Sequence, residues 1–204
     1  MSKKIVSVIL SLCIIVCALP LNILAAPEQN ETLTFEVNGL KTLLLQNDYI
    51  SFYFYDFRYQ TYTATVPRAI AKETGEVFTQ DLQAPGCEFN VYTGGGNKKT
   101  TYPSVTLQKA EFVSETPNGK NTAIKADYNM DIGLYDIPGT PHGTRIPAKV
   151  TVYHELVCLD KKDKTAWGVL TTVGDIQMNR DALFGHDFYF EWWDVINGFT
   201  GMGH

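Results

Sequence analysis

After the first 25 residues, hydrophobic positions recur with the two-residue period of β-strands. Short runs rich in β-branched and aromatic residues alternate with glycine, proline, asparagine and aspartate, which is typical of strands joined by turns. The runs predict strands at residues 32–37, 41–45, 49–57, 60–66, 76–79, 88–93, 104–114, 121–131, 148–159, 165–176 and 186–196. We therefore expect an all-β fold, an antiparallel β-sandwich of about 10 to 11 strands.

The connections between these strands carry turn chemistry of their own. Asn38-Gly39 and the segment 116–120 each supply residues that accept positive φ, so both predict hairpin turns. The charged segment 160–164 has hairpin length and joins two long predicted strands. Segment 136–147 holds three prolines and two glycines, and this density predicts a long loop.

The N-terminal residues have the organisation of a signal peptide. Lys3 and Lys4 precede an apolar run over 5–18, and Pro20 and then Ala25 follow it. The run is shorter than the roughly 20 residues that span a bilayer. We therefore predict a cleaved signal peptide at 1–25, a secreted or cell-surface domain at 26–204, and no permanent membrane span.

The last predicted strand is the most aromatic part of the chain. Residues 188–193 read Phe-Tyr-Phe-Glu-Trp-Trp, and an apolar, glycine-containing stretch follows them. Aromatic side chains at this density need a partner element. Two interpretations stay open: the sequence is the N-terminal part of a longer protein, or this strand inserts into the sheet as the last element.

Charge excludes one class of partner. The chain has 17 basic and 22 acidic residues, and loss of the signal peptide would remove two of the basic ones. Nucleic-acid binding normally requires a clustered positive surface, and no basic run is longer than two residues. We therefore expect no nucleic-acid partner.

Two cysteines follow the predicted signal peptide, Cys87 and Cys158. In an exported domain such a pair can form a disulfide, whose loop of roughly 70 residues would contribute about 4 kcal/mol if it were unstrained. Two buried free thiols are the alternative.

The sequence contains no complete metal, nucleotide or covalent-catalysis motif. His154-Glu155 resembles the start of a zinc-protease helix, but Cys158 stands where the motif needs histidine, and neighbours in a strand point to opposite faces. Gly94-Gly95-Gly96 lacks the spacing of a phosphate loop and predicts a flexible, exposed loop. We expect no metal and no cofactor.

Carboxylates beside aromatic residues are the candidates for catalysis. If the protein is an enzyme, Asp187, Glu191 and Asp194 could supply the acid and the base that glycoside cleavage requires, since apolar surroundings raise the pKa of a carboxyl group. Acidic residues are common in this chain, however, and one sequence does not give the distances between them.

Tyrosines give the most specific functional signal. In segment 49–59, alternation sends Ile50, Phe52 and Phe54 to one face and mostly tyrosines to the other. Flat rings with polar edges suit stacking on a sugar, so we predict glycan binding through Tyr53, Tyr55, Tyr59 and Trp192. A strand packed on both sides is the alternative.

These observations favour a secreted, non-catalytic β-sandwich module that binds carbohydrate or assists an extracellular polysaccharide-active protein. Two alternatives stay open. One is the N-terminal fragment of a secreted glycoside-cleaving enzyme, and the other is a structural or adhesive cell-surface domain. The sequence does not indicate the oligomeric state.

Overall fold

A computed structural model describes residues 30–37, 39–56, 65–81, 86–160 and 162–193. The predicted signal peptide lies outside these ranges. Within them the chain forms β-strands and one turn of 3-10 helix at Arg180–Leu183, which confirms the all-β prediction. The strands are β1 (Glu31–Val37), β2 (Leu40–Gln46), β3 (Ile50–Tyr55), β4 (Thr65–Ala71), β5 (Val77–Asp81), β6 (Gly86–Tyr92), β7 (Lys98–Thr101), β8 (Ser104–Val113), β9 (Ala123–Leu134), β10 (Thr144–Cys158), β11 (Trp167–Met178) and β12 (Asp187–Trp193).

The strands form three antiparallel sheets. The five-stranded sheet runs β1-β2-β3-β4-β5, and the four-stranded sheet runs β11-β10-β9-β8, so both are simple meanders. The three-stranded sheet has the order β12-β6-β7. Strand β12 pairs with β6 from Asp187 opposite Tyr92 to Trp193 opposite Gly86. The aromatic strand therefore inserts into a sheet, as one of the two interpretations predicted, and residues 194–204 lie outside the described ranges.

One face of the four-stranded sheet receives both of the other sheets. Val150 of β10 pairs with Tyr128 of β9 and lies four residues from His154, so all three side chains share a face. The ring of Phe52, from the five-stranded sheet, lies 5.5 Å from the His154 ring. The ring of Trp192, from the three-stranded sheet, lies 4.9 Å from that of Tyr128. The fold is therefore a two-layer sandwich in which one layer is divided.

The core between the layers draws on every sheet. Its fully or almost fully buried side chains include Leu45, Phe52, Phe89, Ile124 and Val152. Removing side chains of this size from water stabilises the fold by about 1.5 to 3 kcal/mol each. Within the described part of the chain, no helix is long and apolar enough to cross a membrane.

The predicted turns are confirmed where the structure describes them. Gly39, between β1 and β2, has a φ of 79°, which favours glycine. Thr116 and Gly119 exchange backbone hydrogen bonds of 2.9 and 3.0 Å between β8 and β9. Strands β10 and β11 pair as a hairpin across the charged segment 160–164.

The predicted loop at 136–147 is too long, because β10 already begins at Thr144. Pro147 lies inside β10 and pairs with Asp131 of β9. Pairing of β10 with β11 begins only at Ala148, so β10 has a single neighbour at the proline. A proline is tolerated there because no second ladder requires its missing N–H.

One prediction in the first half also needs correction, and another lies mostly outside the described ranges. Strand β7 falls in the segment predicted as an exposed loop after Gly94-Gly95-Gly96, and it carries only lysines and threonines. No hydrophobic alternation marks it, because its side chains are almost all exposed. The strand predicted at 60–66 lies mostly outside the described ranges, and β4 begins at Thr65.

Candidate functional site

The predicted tyrosine face is largely covered. Tyr55 is only 2 % exposed, and its neighbour across the ladder, Thr42, is fully buried. Tyr53 is half-buried, and its ring is nearly perpendicular to that of Phe35 of β1, with the ring centroids 6.4 Å apart. Tyr59 lies outside the described residues. Tyr55 therefore does not belong to an open stacking surface, and this part of β3 matches the alternative of a strand packed on both sides.

Trp192 lies in a different part of the molecule from Tyr53 and Tyr55. It is partly buried against the core, with its ring 4.9 Å from Tyr128 and 6.3 Å from Phe190. Its Nε1 is buried, with no hydrogen-bond partner among the described residues. The structure thus does not bring Trp192 together with the tyrosines of β3.

The two candidate acids that the structure describes, Asp187 and Glu191, do not form a pair. Asp187 and Glu191 are exposed and lie four residues apart on β12, which separates their backbones by about 13 Å. Paired glycosidase carboxylates lie about 5 to 10 Å apart. Asp194 lies outside the described residues. The described part of β12 therefore does not present a close acid and base.

The predicted disulfide is absent, because Cys87 and Cys158 are both free and lie on different sheets. Cys87 is buried in β6, and burial raises its pKa to about 12. Cys158 is exposed at the end of β10, where its thiol contacts the carbonyl oxygen of Asp160 at 3.1 Å. Two thiols of very different accessibility replace the expected bridge.

His154 belongs to the core. It is fully buried, its ring lies 5.4 Å from that of Phe54, and its Nδ1 lies 3.1 Å from the Thr171 hydroxyl. Among the described residues, no three histidine, cysteine, aspartate or glutamate side chains come together in a way that could hold a metal ion.

Glu155, the next residue of β10, is a buried carboxylate held by amides. Its exposure is 2 %. Asn118 Nδ2 donates to Oε1 at 2.6 Å, and Asn121 Nδ2 donates to Oε2 at 2.8 Å. Asn118 also donates to the Thr172 hydroxyl of β11 at 2.9 Å. These hydrogen bonds link the β8–β9 turn to strands β10 and β11.

A polar groove of about 470 Å³ lies on the outer face of that sheet. Gln108 of β8 and Gly174 of β11 are each an extra residue in a β-bulge, and both bulges lie level with the pair Asp127–Thr151. Bulges on both edge strands bend the sheet around this point. Asp127 accepts a hydrogen bond from the Thr151 hydroxyl at 2.7 Å and forms an ion pair with Lys125 at 3.3 Å.

A second, more apolar cleft of about 330 Å³ lies where the two layers meet at one end of the sandwich. The rings of Tyr49 and Trp167 are nearly parallel there, with centroids 6.1 Å apart and planes 7° apart. The cleft is lined by Tyr49, Ile50, Ala69, Ala71, Glu73, Thr74, Glu76, Leu159, Thr165, Ala166, Trp167, Gly168 and Val169. Tyr49 and Trp167 are each half-buried, so the pair is both anchored and accessible.

Local hydrogen bonds fix both rings. The side-chain oxygen of Asn47 accepts from the backbone N–H groups of Tyr49 and Ile50 at 2.9 and 3.0 Å, an arrangement that sets the turn before β3. The carbonyl of Tyr49 accepts from the backbone N–H of Lys72 at 2.7 Å. Trp167 Nε1 donates to the carbonyl of Lys164 at 2.8 Å. The aromatic pair is therefore preorganised by contacts outside the ring stack.

The wall and the rim of the cleft differ in character. Leu159 lies directly on Gly168, where an added Cβ would be 2.9 Å from a leucine methyl group. At the rim stand the exposed residues Glu73, Glu76 and Thr165. Apolar walls with a few polar groups at the mouth are typical of small-ligand sites.

Trp167 carries no functional signal in the sequence. Alternation places Tyr49 on the tyrosine face of segment 49–59, whereas Trp167 lies in a predicted strand without any such pattern. The two residues are far apart in sequence, and no spacing rule connects them. The one local signal is Trp167-Gly168, a tryptophan beside a glycine close to a hairpin turn.

Comparisons of the chain with models of known protein families, with curated proteins and with solved structures found no match.

Proposed function

We propose that this protein is a secreted, non-catalytic module that binds carbohydrate in the cleft at Tyr49 and Trp167. The observation that carries the proposal is the pair of parallel, stacked rings of Tyr49 and Trp167 in an apolar cleft with carboxylates and a hydroxyl at its mouth. The C–H face of a sugar stacks on such rings, while its hydroxyl groups form hydrogen bonds at the rim. The secreted location rests on the signal-peptide pattern of residues 1–25.

The size of the cleft limits what it can hold. Its volume of about 330 Å³ is near the lower end of the roughly 300 to 1,000 Å³ of small-molecule sites. We therefore expect it to hold a single sugar unit or a chain end, with the rest of a polysaccharide outside. Modest affinity follows, since only a small contact area is buried.

The proposed site keeps the aromatic stacking that the tyrosines of segment 49–59 suggested, but it uses a different set of residues. Tyr49 precedes the predicted residues Tyr53, Tyr55 and Tyr59 in segment 49–59, and Trp167 supplies the second ring in place of Trp192. Glu73, Glu76 and Thr165 offer the acceptors and donor that sugar hydroxyl groups need.

The test is a calorimetric titration of the protein with a panel of soluble polysaccharides and their oligomers. Trp167→Ala should weaken binding about tenfold, because it removes a stacking surface worth about 1 to 2 kcal/mol. Trp167→Phe keeps a ring and should weaken binding less.

Tyr102→Ala is the matched control, since Tyr102 is 72 % exposed and does not line the cleft. This variant should bind like the unaltered protein. Circular dichroism would establish that each variant is folded before its affinity is compared. Equal affinity for Trp167→Ala and the unaltered protein would place the sugar elsewhere, and a panel without any ligand would remove the proposal.

A further inference from the structure

We infer that the cleft at Tyr49 and Trp167 selects a sugar with a protonated amino group. This inference rests on the proposed carbohydrate-binding function and names the class of sugar. It follows from the charge at the rim and from the aromatic rings beside it.

The rim is acidic. Glu73 and Glu76 line the cleft, and none of the described lining residues is a lysine, arginine or histidine. Neither glutamate forms an ion pair with a basic side chain among the described residues. Lys72 and Lys164 are close in sequence, but neither lines the cleft. The part of the cleft that the structure describes therefore carries two carboxylates and no basic side chain.

The aromatic rings favour the same ligand charge. A cation within about 6 Å of the face of tryptophan or tyrosine is attracted by the ring quadrupole. Trp167 and Tyr49 supply two such rings, which stack with their planes 7° apart and their centroids 6.1 Å apart. A bound ammonium group could therefore contact a ring face and a carboxylate together, whereas a neutral hydroxyl group gains only a hydrogen bond.

The expected order of ligands follows from these contacts. Oligomers of glucosamine carry a protonated amine and should bind about tenfold more tightly than the same oligomers with acetylated nitrogen. One cation–π contact and two exposed ion pairs are expected, and each should contribute a few-fold to the affinity. Sugars with a carboxylate should bind most weakly, because Glu73 and Glu76 repel them. The preference should shrink as salt is added, because the charges are near the surface.

The experiment titrates the full protein with glucosamine tetramer, N-acetylglucosamine tetramer and a uronic acid oligomer of similar length, at low and high salt. Glu73→Gln/Glu76→Gln should bring the affinities for the first two ligands within about twofold of each other. Glu36→Gln/Glu115→Gln is the control, since it removes the same two charges from exposed positions outside the cleft. Tetramethylammonium chloride serves as a competitor without a sugar.

Each outcome has a distinct meaning. A preference for the amine that disappears in Glu73→Gln/Glu76→Gln, and not in the control, supports the inference. Equal binding of the amine and acetylated tetramers overturns the inference and leaves the proposed function in place. If no sugar oligomer binds, the proposed function fails together with the inference. If tetramethylammonium binds and no sugar oligomer does, the ligand is a cation that is not a carbohydrate, and the proposed function fails.

Discussion

Replacing Asn121 by alanine should destabilise the fold through the buried carboxylate of Glu155. Asn121 Nδ2 lies 2.8 Å from Glu155 Oε2 and 3.2 Å from the carbonyl oxygen of Leu156. A hydrogen bond to a charged group contributes about 1.5 to 3 kcal/mol, and a neutral one about 0.5 to 1.5 kcal/mol. Asn121 is half-buried, so water can replace part of the loss. We expect the free energy of unfolding to fall by about 2 to 3 kcal/mol.

Urea denaturation followed by circular dichroism measures this loss. For a chain of this size it corresponds to a decrease in Tm of roughly 5 to 10 °C. Asn129→Ala is the matched control, because Asn129 is exposed on β9, and its replacement should change stability by less than about 0.5 kcal/mol.

A double-mutant cycle makes the prediction specific to the carboxylate. Glu155→Gln removes the charge that Asn121 solvates, so Asn121→Ala should cost less in that background than in the unaltered protein. The reasoning is refuted if Asn121→Ala lies within 0.5 kcal/mol of the unaltered protein. It is also refuted if the two effects simply add, since the amide and the carboxylate would then act independently.

The remaining predictions concern thiol chemistry and packing on the outer sheet face. Iodoacetamide should alkylate Cys158 in the folded protein and leave Cys87 unmodified, as peptide mapping would show; labelling of both thiols at equal rates would contradict the burial of Cys87. Burial raises the pKa of the Cys87 thiol from 9.0 to about 12. Between these two values the thiol is ionised in the unfolded chain and neutral in the folded protein. The free energy of unfolding should therefore fall as the pH rises through that interval. The pH dependence of unfolding in Cys87→Ala, compared with that of the unaltered protein, would reveal this contribution. Gly174→Ala should destabilise the protein by about 1 to 2 kcal/mol in a thermal melt, because the new Cβ would lie 2.5 Å from Cε2 of Tyr153. A second substitution, Tyr153→Ala, should remove most of this cost. If it does not, the clash with Tyr153 is not the cause of the destabilisation.

Much of the fold could be predicted because its strands alternate between a buried and an exposed face. In β10, Ile146, Ala148, Val150 and Val152 are buried, and the residues between them are exposed or half-buried. Strand β7 escaped prediction because Lys98–Thr101 has no buried face to produce a pattern. The loop at 136–147 was overextended because a proline in a strand with one neighbour looks, in sequence, like a proline in a loop.

The candidate site was much less accessible to sequence reasoning. Alternation along segment 49–59 shows that the tyrosines share a side, but not whether another element covers it. Tyr55 is buried for that reason, although it has the same alternation as Tyr53. The partner of Tyr49 is Trp167, from a hairpin more than a hundred residues later, and only the packing of the two layers brings their rings together.

The pairing of β12 with β6 sets a condition on the order of folding during synthesis. Asp187 pairs with Tyr92, about 95 residues earlier, and pairings of such long range are intrinsically slow to form. A ribosome must therefore release most of the domain before the three-stranded sheet can be completed. Until then, β6 has only β7 as a partner, and Tyr128 lacks the cover of Trp192. If the chain is exported, as we propose, this delay prolongs the unfolded interval in which translocation across a membrane takes place.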